Sequence, residues 1–234
     1  MRQFQSPPGA TPIHDCSGLK LSWINTQEEL NSVEAENILS AQNKYLSRPI
    51  QSPLKWFNTD NLIKIHQAMF GDVWEWAGKY RKEVTNIGCH PYMIPMMLAQ
   101  LCYDVKFWST DPVDLSFVER SVLIHHRLVS IHPFENGNGR FSRLIADRYL
   151  LYWGCQHPIW PVDLQKDGST RSEYLECLRS ADNHDFSPLK KFLECLGVKD
   201  PSLKLLKNNP FYKNKLSKAQ ILALEKAYER LGHS

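Results

Sequence analysis

The sequence predicts a mainly α fold, a helical bundle carrying one short β-hairpin. Apolar residues recur at helical spacing through most of the 234 residues, helix-capping residues stand ahead of these runs, and only residues 74–95 clearly break the period. Residues 1–22, with Pro7-Pro8-Gly9 and Pro12, read as an irregular arm. The first helix starts at the capping box Thr26-Gln27-Glu28-Glu29 and runs through Leu30, Val33, Ile38 and Leu39 to about Tyr45. Pro49 and Pro53 separate it from a second helix that follows Thr59 and Asp60, carries Leu62, His66, Met69 and Phe70, and stops at Gly71.

From Trp74 to Pro95, Trp, Gly, Tyr and Val mix with Asn86, Gly88 and Pro91, which suits a hairpin. Met96 to Trp108 is helical again. Asp114 is expected to cap a longer, central helix with Val118, Leu123, Ile124, Leu128 and Ile131. A loop over His132 to Asn138 leads to a helix with Phe141, Leu144, Ile145, Tyr149 and Trp153, closed by Gly154. Helices at about Arg171–Ala181 and Ser187–Leu196 follow, then a linker, Lys199 to Pro210, and a last helix near Ser217–Leu231. The expected organisation is an N-terminal arm and helix (1–53), a core (54–197) and a basic C-terminal extension (198–234).

Composition narrows the function classes. A 42% hydrophobic content with seven Trp, nine Tyr and ten Phe is enough to build a core, which excludes wholesale disorder. No apolar run approaches the ~20 residues that cross a bilayer, and Met1-Arg2-Gln3-Phe4 lacks the apolar stretch of a signal peptide, so a cytoplasmic protein with no membrane partner is expected. Six cysteines without CxxC spacing point to neither a zinc ribbon nor a redox couple. The net charge is +3, but residues 199–234 carry eight basic against three acidic residues. Such a tail suits an acidic partner; aromatics beyond Phe211 and Tyr212 are missing, which argues for a solvated helix face over a nucleic-acid surface.

The chemistry is concentrated between the two most periodic helices, in His132-Pro133-Phe134-Glu135-Asn136-Gly137-Asn138-Gly139-Arg140-Phe141-Ser142-Arg143. Glycines let main-chain N–H groups approach a ligand, and the helix that follows presents its unpaired N–H groups and the positive end of its dipole. Arg140 and Arg143, three apart, share a helical face, and their planar forks suit phosphate oxygens. His132, with an ordinary pKa near 6.5, can take a proton from a hydroxyl near neutral pH. A base, an anion nest and two arginines describe a nucleotidyl or phosphoryl transfer site.

His132-Pro133-Phe134-x-x-Gly137-Asn138-Gly139-Arg140-x-x-Arg143 resembles the motif of the Fic family, and Trp76-Ala77-Gly78-Lys79-Tyr80-Arg81 with Ile87-Gly88 resembles the segment ahead of it. Residues 54–196 are covered. The resemblance implies a Fic-type helical bundle with a short β-hairpin flap, and transfer of AMP from ATP to a Ser, Thr or Tyr hydroxyl of a target protein. It implies His132 as the base, Gly137, Asn138, Gly139, Arg140 and Arg143 as the nucleotide site, and Phe134 as the loop's buried anchor. Thr85, Asn86, Ile87 and Gly88 would form a flap that docks the target by strand addition. Mg²⁺ is expected with the nucleotide, but Asn136 stands where many Fic enzymes have a carboxylate, and it is a weaker metal donor.

On the first helix Ser32-Val33-Glu34-Ala35-Glu36-Asn37 resembles the inhibitory pattern of the family: Ser32, then Glu36, then Asn37. The resemblance implies that Glu36 pairs with Arg143 and blocks the γ-phosphate. The whole-chain pattern further resembles the subgroup called mobile mystery protein B, whose members accompany a helix-turn-helix partner on mobile elements; self-association is a further expectation. Two alternatives stay open: a Fic-fold enzyme moving a phosphate or another nucleotide, and a catalytically silent nucleotide-binding module.

Overall fold

The computed structural model describes residues 18–47, 49–165 and 168–232. The Pro-rich segment of the arm lies outside them. Helix α1 spans Gln27–Leu46, and its start is the expected box: Glu29 N–H donates to Thr26 Oγ1 at 3.2 Å and Thr26 N–H to a Glu29 carboxylate oxygen at 2.9 Å. A single turn, α2 (Pro53–Trp56), leads to α3 (Thr59–Phe70), capped by Asn58. Helices α4 (Ile94–Thr110), α5 (Phe117–Ile131) and α6 (Asn138–Tyr152) follow, then α7 (Ser169–Asp182) and α8 (Ser187–Cys195).

Helices α5 and α6 form the central pair, with α1 lying across α3 and α6, and α4, α7 and α8 packed round α5. The core they bury includes Leu62, Phe70, Leu98, Leu101, Phe117, Leu128, Phe141 and Tyr149, each with no exposed surface. This burial is what holds α5 and α6 rigidly enough to carry a site on the loop between them.

The structure departs from the sequence-based expectation in three places. The cap of α5 is Ser116, not Asp114: Ser116 and Glu119 exchange the two bonds of a capping box, and Asp114 lies two residues outside it. The expected linker, Lys199 to Pro210, contains α9 (Leu203–Asn208) and runs straight into α10 (Pro210–Lys213), because Ser202 and Asn209 cap them and Leu206 is fully buried; α11 (Lys218–Arg230) follows.

The third departure is the hairpin. Among the described residues there is no paired ladder, only isolated antiparallel bridges, Leu19 with Trp74 and Tyr80 with Phe134. The guanidinium of Arg81 supplies the reason. It donates to the carbonyls of Glu83 and Cys89, which a facing strand would otherwise have satisfied.

Candidate active site

Helix α5 ends at Ile131, and His132 forms its C-cap in the left-handed region (φ 50°, ψ 61°) with its N–H on the Leu128 carbonyl at 3.1 Å. A non-glycine residue there is uncommon, and the Pro133 that follows prevents the helix from continuing. Phe134 drops into the core, stacked on His66 with ring centroids 3.6 Å apart and edge-on to Phe141. The loop is closed by Asn138, whose amide accepts from Phe134 N–H at 3.0 Å and donates to the Phe134 carbonyl at 2.8 Å. That side chain is therefore committed to the loop, and only the main chain of Asn138 faces the start of α6. A part for Asn138 in the expected nucleotide site therefore falls to its main chain.

His66 supports the loop from beneath, and sequence reasoning placed it only as part of a helical stripe. Its Nδ1 accepts from Gly78 N–H at 3.0 Å, so Nε2 carries the proton and donates to the Asn136 carbonyl at 3.0 Å. Burial lowers its pKa to about 3, which keeps the ring neutral and the tautomer fixed. A histidine within the buried stripe Leu62, Ile65, Met69 and Phe70 was the available signal.

His132 is 7% exposed, and burial lowers its pKa to about 4. Its Nδ1 faces the Val129 carbonyl at 3.4 Å, which places the proton on Nδ1 and makes Nε2 the basic nitrogen. The ring is therefore neutral and competent to accept a proton at pH 7. Arg81 fixes the backbone beneath it: Nε donates to the His132 carbonyl at 2.6 Å, and Arg81 N–H donates to the Pro133 carbonyl at 3.0 Å. Gly88 (φ 114°) lies against the same histidine, where a Cβ would stand 2.5 Å from His132 Cβ.

Two glycines of the loop do different things. Gly137 (φ 78°) is required by packing, since a Cβ there would meet the Phe70 ring at 2.4 Å. Around Gly139 there is no atom within 4 Å of a Cβ position, so the first turn of α6 opens onto space beside its unpaired N–H groups.

Arg140 and Arg143 do not converge in this structure. Arg140 lies over the Phe70 ring and pairs with Glu34 of α1, Nη1 to Oε2 at 2.6 Å. The other oxygen of Glu34 accepts from Trp74 Nε1 at 2.7 Å, and the carboxylate is buried. Arg143 turns instead toward Trp160, 5.3 Å from its centroid, and lies beside Tyr174. The expected Glu36–Arg143 pair is thus corrected: Glu36 and Ser32 are exposed, while Asn37 is buried. Two positions are about 200° round a helix, so Glu34 and Glu36 cannot face the loop together.

In the flap region Thr85 Oγ1 donates to the Ile87 carbonyl at 2.6 Å, and Val84, Asn86 and Gly88 are exposed. Asn136 accepts Gly137 N–H on its side-chain oxygen at 2.6 Å. Among the described residues no group of three or more His, Cys, Asp and Glu could hold a metal ion. No described helix is long and apolar enough to cross a membrane.

Residues 56–150, which span α3 to α6 and the whole loop, match the model of the Fic/DOC family. Protein adenylyltransferase Fic of Nematostella vectensis is 30% identical over 153 residues, 64% of this chain and 34% of that protein. Protein adenylyltransferase fic-1 of Caenorhabditis briggsae is 29% identical over 138 residues, 57% of this chain and 26% of that protein. The chain therefore spans about a quarter to a third of the length of these curated relatives. Among solved structures, the BepC protein of Bartonella tribocorum, with bound AMPPNP, superposes with a TM-score of 0.60 at 18% identity, covering 80% of this chain and 94% of that one.

Proposed function

From the Fic/DOC domain that residues 56–150 carry, we propose that this chain transfers AMP from ATP to a hydroxyl of a protein target. The observation that supports the proposal best is the loop itself. A left-handed cap holds a neutral histidine with a basic Nε2 beside a glycine-opened helix N-terminus. Relatives named adenylyltransferases, and a structural neighbour described with bound AMPPNP, agree with ATP as the substrate.

In this mechanism the phosphates lie on the N–H groups at the start of α6, with Gly139 giving the close approach. His132 Nε2 takes the proton of a Ser, Thr or Tyr hydroxyl. The hydroxyl oxygen bonds to the α-phosphorus, and the bond to pyrophosphate breaks, the electron pair leaving with the β-phosphate oxygen. Mg²⁺ would come as the counter-ion of ATP, and no step is assigned to it because Asn136 replaces a carboxylate. Residues 84–88, with Val84, Asn86 and Gly88 exposed, supply the edge against which an extended target segment can lie.

Glu34 supports a restraint by α1. Its carboxylate occupies the guanidinium of Arg140 and brings negative charge to the place where phosphate must bind. The subgroup resemblance adds a helix-turn-helix partner to the proposal, and self-association is a separate part of it. Incubation with ATP labelled at the α-phosphate is the test. Labelled protein with Glu34→Gly that is lost with His132→Ala supports AMP transfer, whereas release of ADP indicates phosphoryl transfer. Nucleotide binding without any His132-dependent product would leave a silent module. Glu34→Gly should raise the rate at least several-fold and Glu36→Gly should leave it nearly unchanged; the reverse order would remove Glu34 as the restraint.

A further inference from the structure

No exposed residue of α4 is charged. Met96, Ala99, Gln100, Tyr103 and Phe107 are exposed and fall within about 100° of the helix surface, while Asp104 and Lys106 are partly buried at its two flanks. Ile94, Leu98, Leu101 and Val105 hold the opposite face in the core with no exposed surface. A helix on the surface of a globular protein ordinarily turns charged residues to water, as α1 does with Glu36 and α11 with Lys226. The one amide of the stripe is already engaged, since the side-chain N–H of Gln100 donates to Asp104 at 2.8 Å within the same helix. Tyr92, in the single turn Pro91–Met93 that runs into α4, adds an exposed ring braced against His90, with centroids 4.4 Å apart.

We propose that this stripe packs antiparallel on the same stripe of a second copy of the chain, about a two-fold axis between Ala99 and Gln100. The contact gives the proposed self-association its surface; it rests on that part of the proposed function and not on AMP transfer.

The spacing of the side chains selects a second copy. Met96 and Tyr103 stand equally far from that axis, as do Tyr92 and Phe107, so each meets the other of its pair across the contact. A thioether on a ring and a ring on a ring are favourable neighbours, and Ala99 at the centre lets the two helices approach closely. The flanking charges stay apart. At a rise of about 1.5 Å per residue the two copies of Asp104 lie about 13 Å apart along the axis and the two copies of Lys106 about 20 Å, beyond the screening length.

The area agrees with such a pair. Tyr92, Met96, Tyr103 and Phe107 are 76%, 62%, 66% and 45% exposed. At roughly 200 Å² for a large side chain they offer about 500 Å² per copy, or about 1,000 Å² for the pair. That reaches the lower bound of a specific interface and falls well short of an obligate one, so dimer and monomer should exchange with a Kd on the order of 10 μM.

The test is sedimentation equilibrium of the full chain from about 1 μM to about 200 μM, which brackets that Kd. The mass should rise from monomer toward dimer across the series. Met96→Glu and Tyr103→Lys both lie at exposed positions, so the fold should tolerate them, and each buries an unpaired charge in the contact and should weaken association about tenfold or more. An equimolar mixture of the two variants should recover association, because the new carboxylate of one chain then faces the new ammonium of the other. Loss in each variant with recovery in the mixture supports the contact and its register. A chain that is monomeric at every concentration overturns it and leaves the stripe to a different protein. A dimer that neither variant weakens, or one that the mixture does not restore, overturns it as well.

Discussion

Arg81 shows how one side chain can carry a site without touching substrate. It is 2% exposed and donates to the carbonyls of His132, Glu83, Cys89 and, at 3.4 Å, Ile131. Arg81→Met keeps the length and removes every donor, leaving buried carbonyls unpaired, so stability should fall by about 3 kcal/mol. Chemical denaturation would measure it; a loss under about 1 kcal/mol would mean that these carbonyls find other partners. Asp147 makes a different prediction. Burial raises its pKa from 3.8 to about 8, partly offset by the Trp160 hydrogen bond and by Arg143. Between those values the folded chain binds a proton that the unfolded chain has released, so this group makes stability fall as pH rises through that window. Asp147→Asn retains an acceptor for Trp160 and removes the titration. Its melting temperature should therefore gain on the parent from pH 5 to pH 8, and a difference that does not change with pH would exclude the raised pKa.

At the scale of elements, the flap and the loop form one unit joined by Arg81 and Gly88. Gly88→Ala forces a Cβ to within 2.5 Å of His132 at a backbone φ of 114°. The chain on the exposed flap can yield more readily than the core, so the proposed AMP transfer should fall at least tenfold while the melting temperature shifts by only a few degrees. Equal losses in both would place Gly88 in the fold and not in the site. Much of this architecture was legible in the sequence. The period of α3, α5 and α6, the Thr26 box and the loop from His132 to Arg143 all act over short range, where capping and amphipathic spacing are written directly. That no hairpin forms was not legible, because the broken period of residues 74–95 says nothing of a guanidinium that takes the carbonyls of Glu83 and Cys89. Neither was Glu34: the pattern beginning at Ser32 pointed to Glu36, and only the roll of α1 on α3 and α6 decides which carboxylate meets Arg140.

Over the whole molecule, the basic C-terminal segment is built into the core and is not a separate appendage. Asp200 accepts from Val118 N–H at 3.1 Å and from Tyr228 O–H at 3.2 Å, so it binds the first turn of α5 and the last of α11 at once. Gln220 donates to the Ser109 carbonyl at the end of α4, Tyr212 stacks near Phe117, and Arg230 pairs with Glu119, the residue that completes the cap of α5. Leu206, Leu224 and Ala227 are fully buried, and Tyr228 is 1% exposed. The far end of α5 from His132 is thus held by the tail. A chain ending at residue 199 would uncover Phe117 and leave the N-terminal N–H groups of α5 without Asp200, at a cost of about 1 kcal/mol for the cap and more for the exposed apolar surface. We expect that truncation to lower the melting temperature of the remaining chain and, because α5 positions His132, to reduce the proposed AMP transfer with it. Tyr228→Phe, which removes one hydroxyl from Asp200 and retains the ring, should cost about 1 kcal/mol and spare the activity. Scanning calorimetry of the truncated chain decides the matter. An unchanged melting temperature would mean that the core folds without the tail, and that the basic helices serve only as a surface for a partner.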